Sequence, residues 1–261
     1  MTLTFQKYHG TGNDFVMISQ AHNASFYPNI EDIRRLCSRH FGIGADGLIL
    51  IKKHKEFDFE VDYFNADGSK SFCGNGARCS VEFARNLGLF QNSCSFLAID
   101  GHHEAYYSEN GNVVLKMGDV NQIEQFSEEP NDYILDTGSP HYVRFCSHKN
   151  EFDIVELGKK IRYSDRFKST GINVNTVCSE NDHLYVQTYE RGVEGETFSC
   201  GTGVTAVALA SALQSSATNG STKILTKGGE LIVHWEKKNN GFERIFLEGP
   251  AQKVYEGSIE L

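Results

Sequence analysis

Most of the chain alternates apolar and polar residues in short runs broken by glycine and asparagine, the period of β-strands, and four stretches depart from it towards helical spacing. Residues 2–5 and 15–19 read as strands around the turn His9-Gly10-Thr11-Gly12-Asn13-Asp14, which can expose amide groups or simply close a hairpin. Asn29 caps a predicted helix to about residue 40, with Ile30, Ile33, Leu36 and Cys37 at helical spacing. Residues 48–51 form a strand, and residues 57–64 alternate Phe57, Phe59, Val61 and Tyr63 with acidic neighbours, a strand with one wet face. Residues 77–87 and 204–213 are apolar nearly all round, so each predicts a buried helix; the fourth helix spans 152–161. Strands follow at 96–99, 113–116, 134–136, 184–189, 230–235, 244–248 and 253–259, and 170–175 reads as a turn.

The order of elements repeats. From Asp14 to Cys73 is 59 residues, and from His141 to Cys200 is also 59. Each interval runs through helix, glycine turn, strand, polar turn, cysteine and buried helix. This predicts an α/β (α+β) fold of two pseudo-symmetric domains, each a β-sheet or barrel wrapped around a central buried helix. The halves are residues 1–118 with the terminal strand 251–261, and residues 119–250, joined through the polar stretch 121–132 with Pro130.

The two cysteines carry the chemistry. Cys73-Gly74-Asn75-Gly76-Ala77-Arg78 and Cys200-Gly201-Thr202-Gly203-Val204-Thr205 both read Cys-Gly-x-Gly and both enter a buried helix. A thiol at a helix N-terminus meets unpaired N–H groups and the positive end of the dipole, which favour the thiolate. Two such thiols on opposite walls of one cleft can remove a proton from one face of a carbon and return one to the other. A single cysteine is more often a buried structural thiol; the matched pair reverses that reading.

Composition narrows the alternatives. The 261-residue chain has a formal net charge of −9 and no basic patch, which argues against a nucleic-acid partner. Residues 1–10 hold no apolar signal segment, and no apolar run approaches the roughly 18–20 residues a membrane helix needs, so a cytoplasmic protein with no membrane partner is expected. The other five cysteines, 37, 79, 94, 146 and 178, read as small buried hydrophobes, and no cluster has metal-ligand spacing. Gly42-Ile43-Gly44-Ala45-Asp46-Gly47 matches a dinucleotide fingerprint formally, but it follows a helix and opens a strand, so it reads as a turn.

The chain resembles the diaminopimelate epimerases over essentially its whole length. The resemblance rests on His9-Gly10-Thr11-Gly12-Asn13-Asp14-Phe15, Phe64-Asn65-Ala66-Asp67-Gly68, Tyr189-Glu190-Arg191-Gly192 and the two cysteine motifs, in order. It implies an isomerase without cofactor that interconverts LL- and meso-diaminopimelate on the route to lysine and peptidoglycan, commonly as a homodimer. Cys73 and Cys200 would be base and acid, exchanging roles with direction. Gly74, Asn75, Gly201 and Thr202 would receive the α-carboxylate on backbone N–H groups. His141 and Glu190 match positions that tune the thiols, although alone they read equally as a turn histidine and a surface carboxylate. Asn13, Asn65, Asn173 and Arg191 match positions that hold the distal amino-acid centre with Glu190, and Tyr255 a dimer contact. Two positions depart from the family pattern: Gly47 stands where many members have Gln, and Ser139 where many have Asn. The rival readings are a proline racemase or hydroxyproline epimerase, and a dithiol redox sensor using the same two cysteines.

Overall fold

The computed structural model describes residues 1–126 and 131–261, so part of the expected crossing at 121–132 lies outside the described residues. The chain divides into two compact units, Met1–Leu115 with Gly249–Leu261, and Lys116–Glu248.

In the first unit, Thr2–Gly10 (β1) and Asn13–Ser19 (β2) form a hairpin with Gly10 opposite Asn13. The expected six-residue loop shrinks to Thr11 and Gly12, at φ 50° and 85°. A two-residue hairpin turn needs left-handed backbone at both positions, and Gly12 adopts it without strain. Helix α1 (Ile30–Cys37) starts at a capping box in which Asn29 and Asp32 satisfy each other's N–H. It ends short of residue 40 because the amides of Ile43 and Gly44 both take the Leu36 carbonyl, at 3.0 Å each. Strand β3 (Gly47–Lys52) runs parallel to β2, and β4 (Phe59–Asn65) returns antiparallel to β3.

Helix α2 (Gly74–Asn86) begins three residues before the apolar pattern predicts, because Cys73 itself is the N-cap and its sulfur accepts the Gly76 N–H at 3.5 Å. It packs on β1, β2, β3 and β4. The opposite face of that sheet buries Ile33 and Leu36 of α1 against Val16, Ile18, Leu48 and Leu50. Strands covered on both faces read as continuous apolar runs, which is why β2 and β3 show no alternation. Ser93–Ala98 (β5), Gly101–Tyr107 (β6) and Val113–Lys116 (β7) follow, and the chain's last strand, Gln252–Glu260 (β17), pairs with β1.

The second unit holds Ile123–Gln125 (β8), Asp132–Asp136 (β9), Pro140–Phe145 (β10), α3 (Ile154–Arg162), Asn173–Glu180 (β11), His183–Glu190 (β12), Gly195–Thr197 (β13), α4 (Gly201–Leu213), Asn219–Thr226 (β14), Gly229–Lys238 (β15) and Gly241–Gly249 (β16). Strand β10 pairs in parallel with β11 and β11 antiparallel with β12, while α4 packs on β9, β10, β11, β12, β14 and β15. Both units are therefore sheets curled around one helix.

The registers repeat as well. Phe15 lies opposite Gly47, and Tyr142 opposite Val174; each second-unit residue comes 127 positions after its counterpart, as Cys200 does after Cys73. Strands β11 and β14 are absent from the sequence reading. Asn173 and Asn175 look like turn residues, yet both side chains are buried and hydrogen-bonded, and the Gly-Ser-Thr start of β14 carries no apolar alternation.

Candidate active site

Each unit carries one cysteine that caps its buried helix, with its own polar surroundings. In the first, the Cys73 thiol donates to Asn13 Oδ1 at 3.5 Å while its sulfur accepts the Gly76 N–H. The same Asn13 oxygen receives Asn75 Nδ2 at 3.3 Å, and Asn13 Nδ2 donates to Asp46 at 2.6 Å. Asn13 is thus held by a charged network that joins the hairpin to the segment between α1 and β3. Asp14 pairs with Lys7 at 2.7 Å and with Arg39 at 2.8 Å, and Arg39 also binds Asp46 at 2.6 Å. Burial alone would raise the Asp14 pKa, but the Arg39 and Lys7 hydrogen bonds outweigh it and hold the carboxyl at about 2.

Cys73 opens on a small pocket that Tyr63, Ser71, Phe72 and Ile99 also line. Asn65, at the end of β4, donates to the hydroxyls of Ser69 and Ser71 at 3.0 and 3.1 Å and accepts from the Tyr63 hydroxyl at 2.8 Å. The Gly47 departure has a steric cause here. A Cβ at position 47 would lie 2.5 Å from the Phe64 carbonyl and 2.5 Å from Tyr63 Cε2. The Tyr63 ring fills the space beside Gly47, packed edge-on against Phe15 with centroids 5.8 Å apart.

In the second unit, Cys200 is the N-cap of α4, and its sulfur lies 3.4 Å from Thr202 Oγ1. That hydroxyl meets His141 Nε2 at 2.9 Å and Ser139 Oγ at 3.1 Å. His141 is fully buried. Its Nδ1 accepts Asn175 Nδ2 at 3.1 Å, and Asn175 is oriented by donating to the Tyr142 carbonyl at 3.0 Å and accepting from Thr188 at 2.9 Å. The remaining proton therefore sits on Nε2 and points to Thr202 and Ser139. Burial, and then the charge of Arg191, lower the His141 pKa to about 3, so the ring is neutral at physiological pH. It meets the Thr202 hydroxyl as a neutral ring, not as a cation.

Ser139 also receives Asn173 Nδ2 at 3.1 Å, so its short hydroxyl is fully engaged within the unit. Asn173 Oδ1 accepts the Arg191 N–H at 2.8 Å, and the exposed Arg191 guanidinium donates to the Thr170 carbonyl at 2.9 Å. Glu190 ends β12 beside it, partly buried. Gly74 and Gly201 are the first residues of the two buried helices, followed by Asn75 and Thr202. Tyr255 lies on β17, 44 % exposed, its ring against Phe5 at 6.0 Å.

Sequence reasoning missed Asn175, Tyr63, Lys7 and the burial of Arg78. Asn175 has a signal in retrospect: a polar residue among Val174, Thr176 and Val177 is unusual in a β-branched run unless its amide is used. All seven cysteines are free thiols; Cys37, Cys79, Cys94 and Cys178 are buried as expected, whereas Cys146 is only partly so. Among the described residues, no group of three or more His, Cys, Asp or Glu can hold a metal ion, and no helix is long and apolar enough to cross a membrane.

With the geometry in place, the comparisons with known proteins decide the family. The diaminopimelate epimerase family model matches residues 5–123 and 133–254. The chain belongs to the diaminopimelate epimerase family. It is 44 % identical over 255 residues to a diaminopimelate epimerase of Flavobacterium psychrophilum, covering 97 % of this chain and 98 % of that protein. It is 37 % identical over 274 residues to one of Aquifex aeolicus, covering 98 % of each. As a family member the chain is an enzyme, an isomerase acting on a small molecule. Among solved structures, a phenazine biosynthesis protein of the PhzF family from Bacillus anthracis matches with TM-score 0.76 at 13 % identity, covering all of both chains. A hydroxyproline epimerase from Agrobacterium vitis matches with TM-score 0.70 at 12 % identity, covering 99 % of this chain and 91 % of that one. At such identities these likenesses bear on the fold alone, which they share with this two-unit α/β chain.

Proposed function

We propose that the chain interconverts LL- and meso-diaminopimelate by proton transfer between Cys73 and Cys200, without a cofactor, on the route to lysine and peptidoglycan. The observation that carries this reading is the matched pair of cysteines, each the N-cap of the buried helix in one of two units with the same strand register. Family membership supports the substrate.

In the proposed reaction one cysteine, as thiolate, takes the α-proton and becomes a thiol. The other, as thiol, gives its proton to the opposite face of the carbon and becomes the thiolate. The two then stand with protonation states exchanged, ready for the reverse direction. The α-proton of an amino acid is very weakly acidic, so the developing charge needs donors already in place. The first N–H groups of each helix, at Gly74, Asn75, Gly201 and Thr202, have no intrahelical acceptor and suit the α-carboxylate. Asn13 takes the hydrogen bond of the Cys73 thiol, and Thr202, backed by neutral His141, contacts the Cys200 sulfur. Asn65, Asn173, Glu190 and Arg191 are assigned to the distal amino-acid centre, with Glu190 also tuning a thiol; a guanidinium grips a carboxylate with two parallel hydrogen bonds.

The test is conversion of LL- to meso-diaminopimelate by purified protein with reducing agent and no added cofactor. Cys73→Ala and Cys200→Ala are each expected to lower kcat by about 10²–10⁴-fold. Full activity in either variant would refute the two-thiol assignment, and action of the wild type on proline alone would refute the substrate. The same reading makes the enzyme a cytoplasmic homodimer joined along β17, where Val254 and Tyr255 are 56 % and 44 % exposed. Tyr255→Glu is expected to shift the sedimentation coefficient to that of a monomer; an unchanged dimer would put the interface elsewhere.

A further inference from the structure

Arg78 sits on the second turn of α2, wholly buried. Burial lowers its pKa to about 10, which leaves it charged at neutral pH. Its Nη2 donates to Asn75 Oδ1 at 3.0 Å and to Thr11 Oγ1 at 3.4 Å. Among the described residues, its Nε and Nη1 have no hydrogen-bond partner. The Cys79 and Cys73 thiols act on its charge, and among the described residues no carboxylate forms an ion pair with it. A buried charge left uncompensated destabilises a fold, and an apolar side chain of similar volume would serve packing better. The position therefore calls for a use of the charge.

The surrounding groups narrow that use. Cys79, on the same helix, is fully buried, and burial pushes its thiol far above the usual range, so it stays protonated. Asp14, on β2, is already neutralised by Lys7 and Arg39. Glu82 lies further along α2 and binds the Tyr107 hydroxyl at 2.7 Å. Tyr63 from β4 lines the pocket of Cys73. Cys73 remains, and a polar route leads to it. Asn75 accepts from Arg78 on Oδ1 and donates from Nδ2 to Asn13 Oδ1, the atom that receives the Cys73 S–H.

We propose that Arg78 is the buried counter-charge of the Cys73 thiolate, a positioning residue that anchors the Asn75 amide beside the cysteine and whose charge makes the ionised form accessible. This rests on the reading of Cys73 as a proton-transfer base. The second unit has no cation at the equivalent place: Thr205 stands 127 positions after Arg78 and donates to the Gly201 carbonyl at 2.9 Å. Cys200 is therefore an internal control.

The experiment follows iodoacetamide alkylation of Cys73 and Cys200 separately, by mass spectrometry of their peptides across pH, in full-length wild type, Arg78→Met and Arg78→Gln. The expected result is a rise of about one pH unit in the Cys73 midpoint in both variants, the lower end of what an opposite charge nearby supplies. The Cys200 midpoint should stay fixed, and the melting temperature of Arg78→Met should be no lower than wild type. Epimerisation near neutral pH should fall by about tenfold and recover at higher pH. An unmoved Cys73 midpoint overturns the proposal, as does an equal shift of both cysteines. A shift in Arg78→Met with none in Arg78→Gln overturns it too, because Gln keeps an amide donor but no charge. Arg78→Gln carries the test if Arg78→Met does not fold. Should the midpoint stay put while Cys73→Ala abolishes epimerisation, this inference fails and the two-thiol reading stands; should Cys73→Ala stay active, the two-thiol reading fails.

Discussion

At the scale of single residues, the protonation state of His141 is the feature with the clearest consequence. Its Nδ1 is committed to Asn175 and its Nε2–H to Thr202 and Ser139, with no exposure to water. Because the folded pKa of about 3 lies below the usual value near 6.5, protonation favours the unfolded chain. The stability contributed by neutral His141 is fully present above about pH 6.5 and is lost as pH falls towards 3. The expected outcome is a His141 ring signal, in ¹³C-labelled protein, that stays flat between pH 8 and 5. A midpoint near 6.5 for His141 would show that the ring works as a cation. His141 could be suspected from the sequence only through the family resemblance. Its partner Asn175 carries a weaker signal, a lone amide in a β-branched run, because an asparagine near a glycine looks like a turn until the strand around it is known.

The elements explain why some residues are as small as they are. Strand β3 opens at Gly47, where β2, β3 and β4 come together, and a Cβ there would meet backbone at 2.5 Å. Backbone cannot give way as a flexible side chain can. Gly47→Ala is therefore expected to destabilise the fold by about 1–3 kcal/mol in urea unfolding, as overpacking does. Wild-type stability with full activity would mean that β3 and β4 can part without cost. The four helices were legible in the apolar pattern, but their ends were not. Helix α2 starts early because Cys73 is its cap, and α1 stops early because a loop takes its last carbonyls. Both effects come from hydrogen bonds to groups that hydrophobic periodicity does not register. Strand β14 shows the same limit: its pairing with β15 runs through eight residue pairs, although its first half has no apolar alternation.

At the scale of the molecule, the informative quantity is the repeat. Equal spacing between motifs was visible in the sequence, while side chains differ between the halves. The structure adds that strand register follows the same 127-residue offset as the cysteines. The polar surroundings do not repeat: an asparagine pair backed by a buried arginine lies at Cys73, and a threonine with a neutral histidine lies at Cys200. Both sets of surroundings belong to the proposed two-thiol reaction, in which one thiol removes the proton and the other supplies one.

That claim is tested most directly by running LL-diaminopimelate through the wild-type enzyme in D₂O and stopping at low conversion. The account predicts that the meso product carries solvent deuterium at the inverted carbon while the remaining LL substrate keeps its proton, because one thiol removes and the other supplies. A product that retains the original proton, or deuterium appearing equally in recovered substrate and product from the earliest times, would mean that a single base serves both faces and would contradict it.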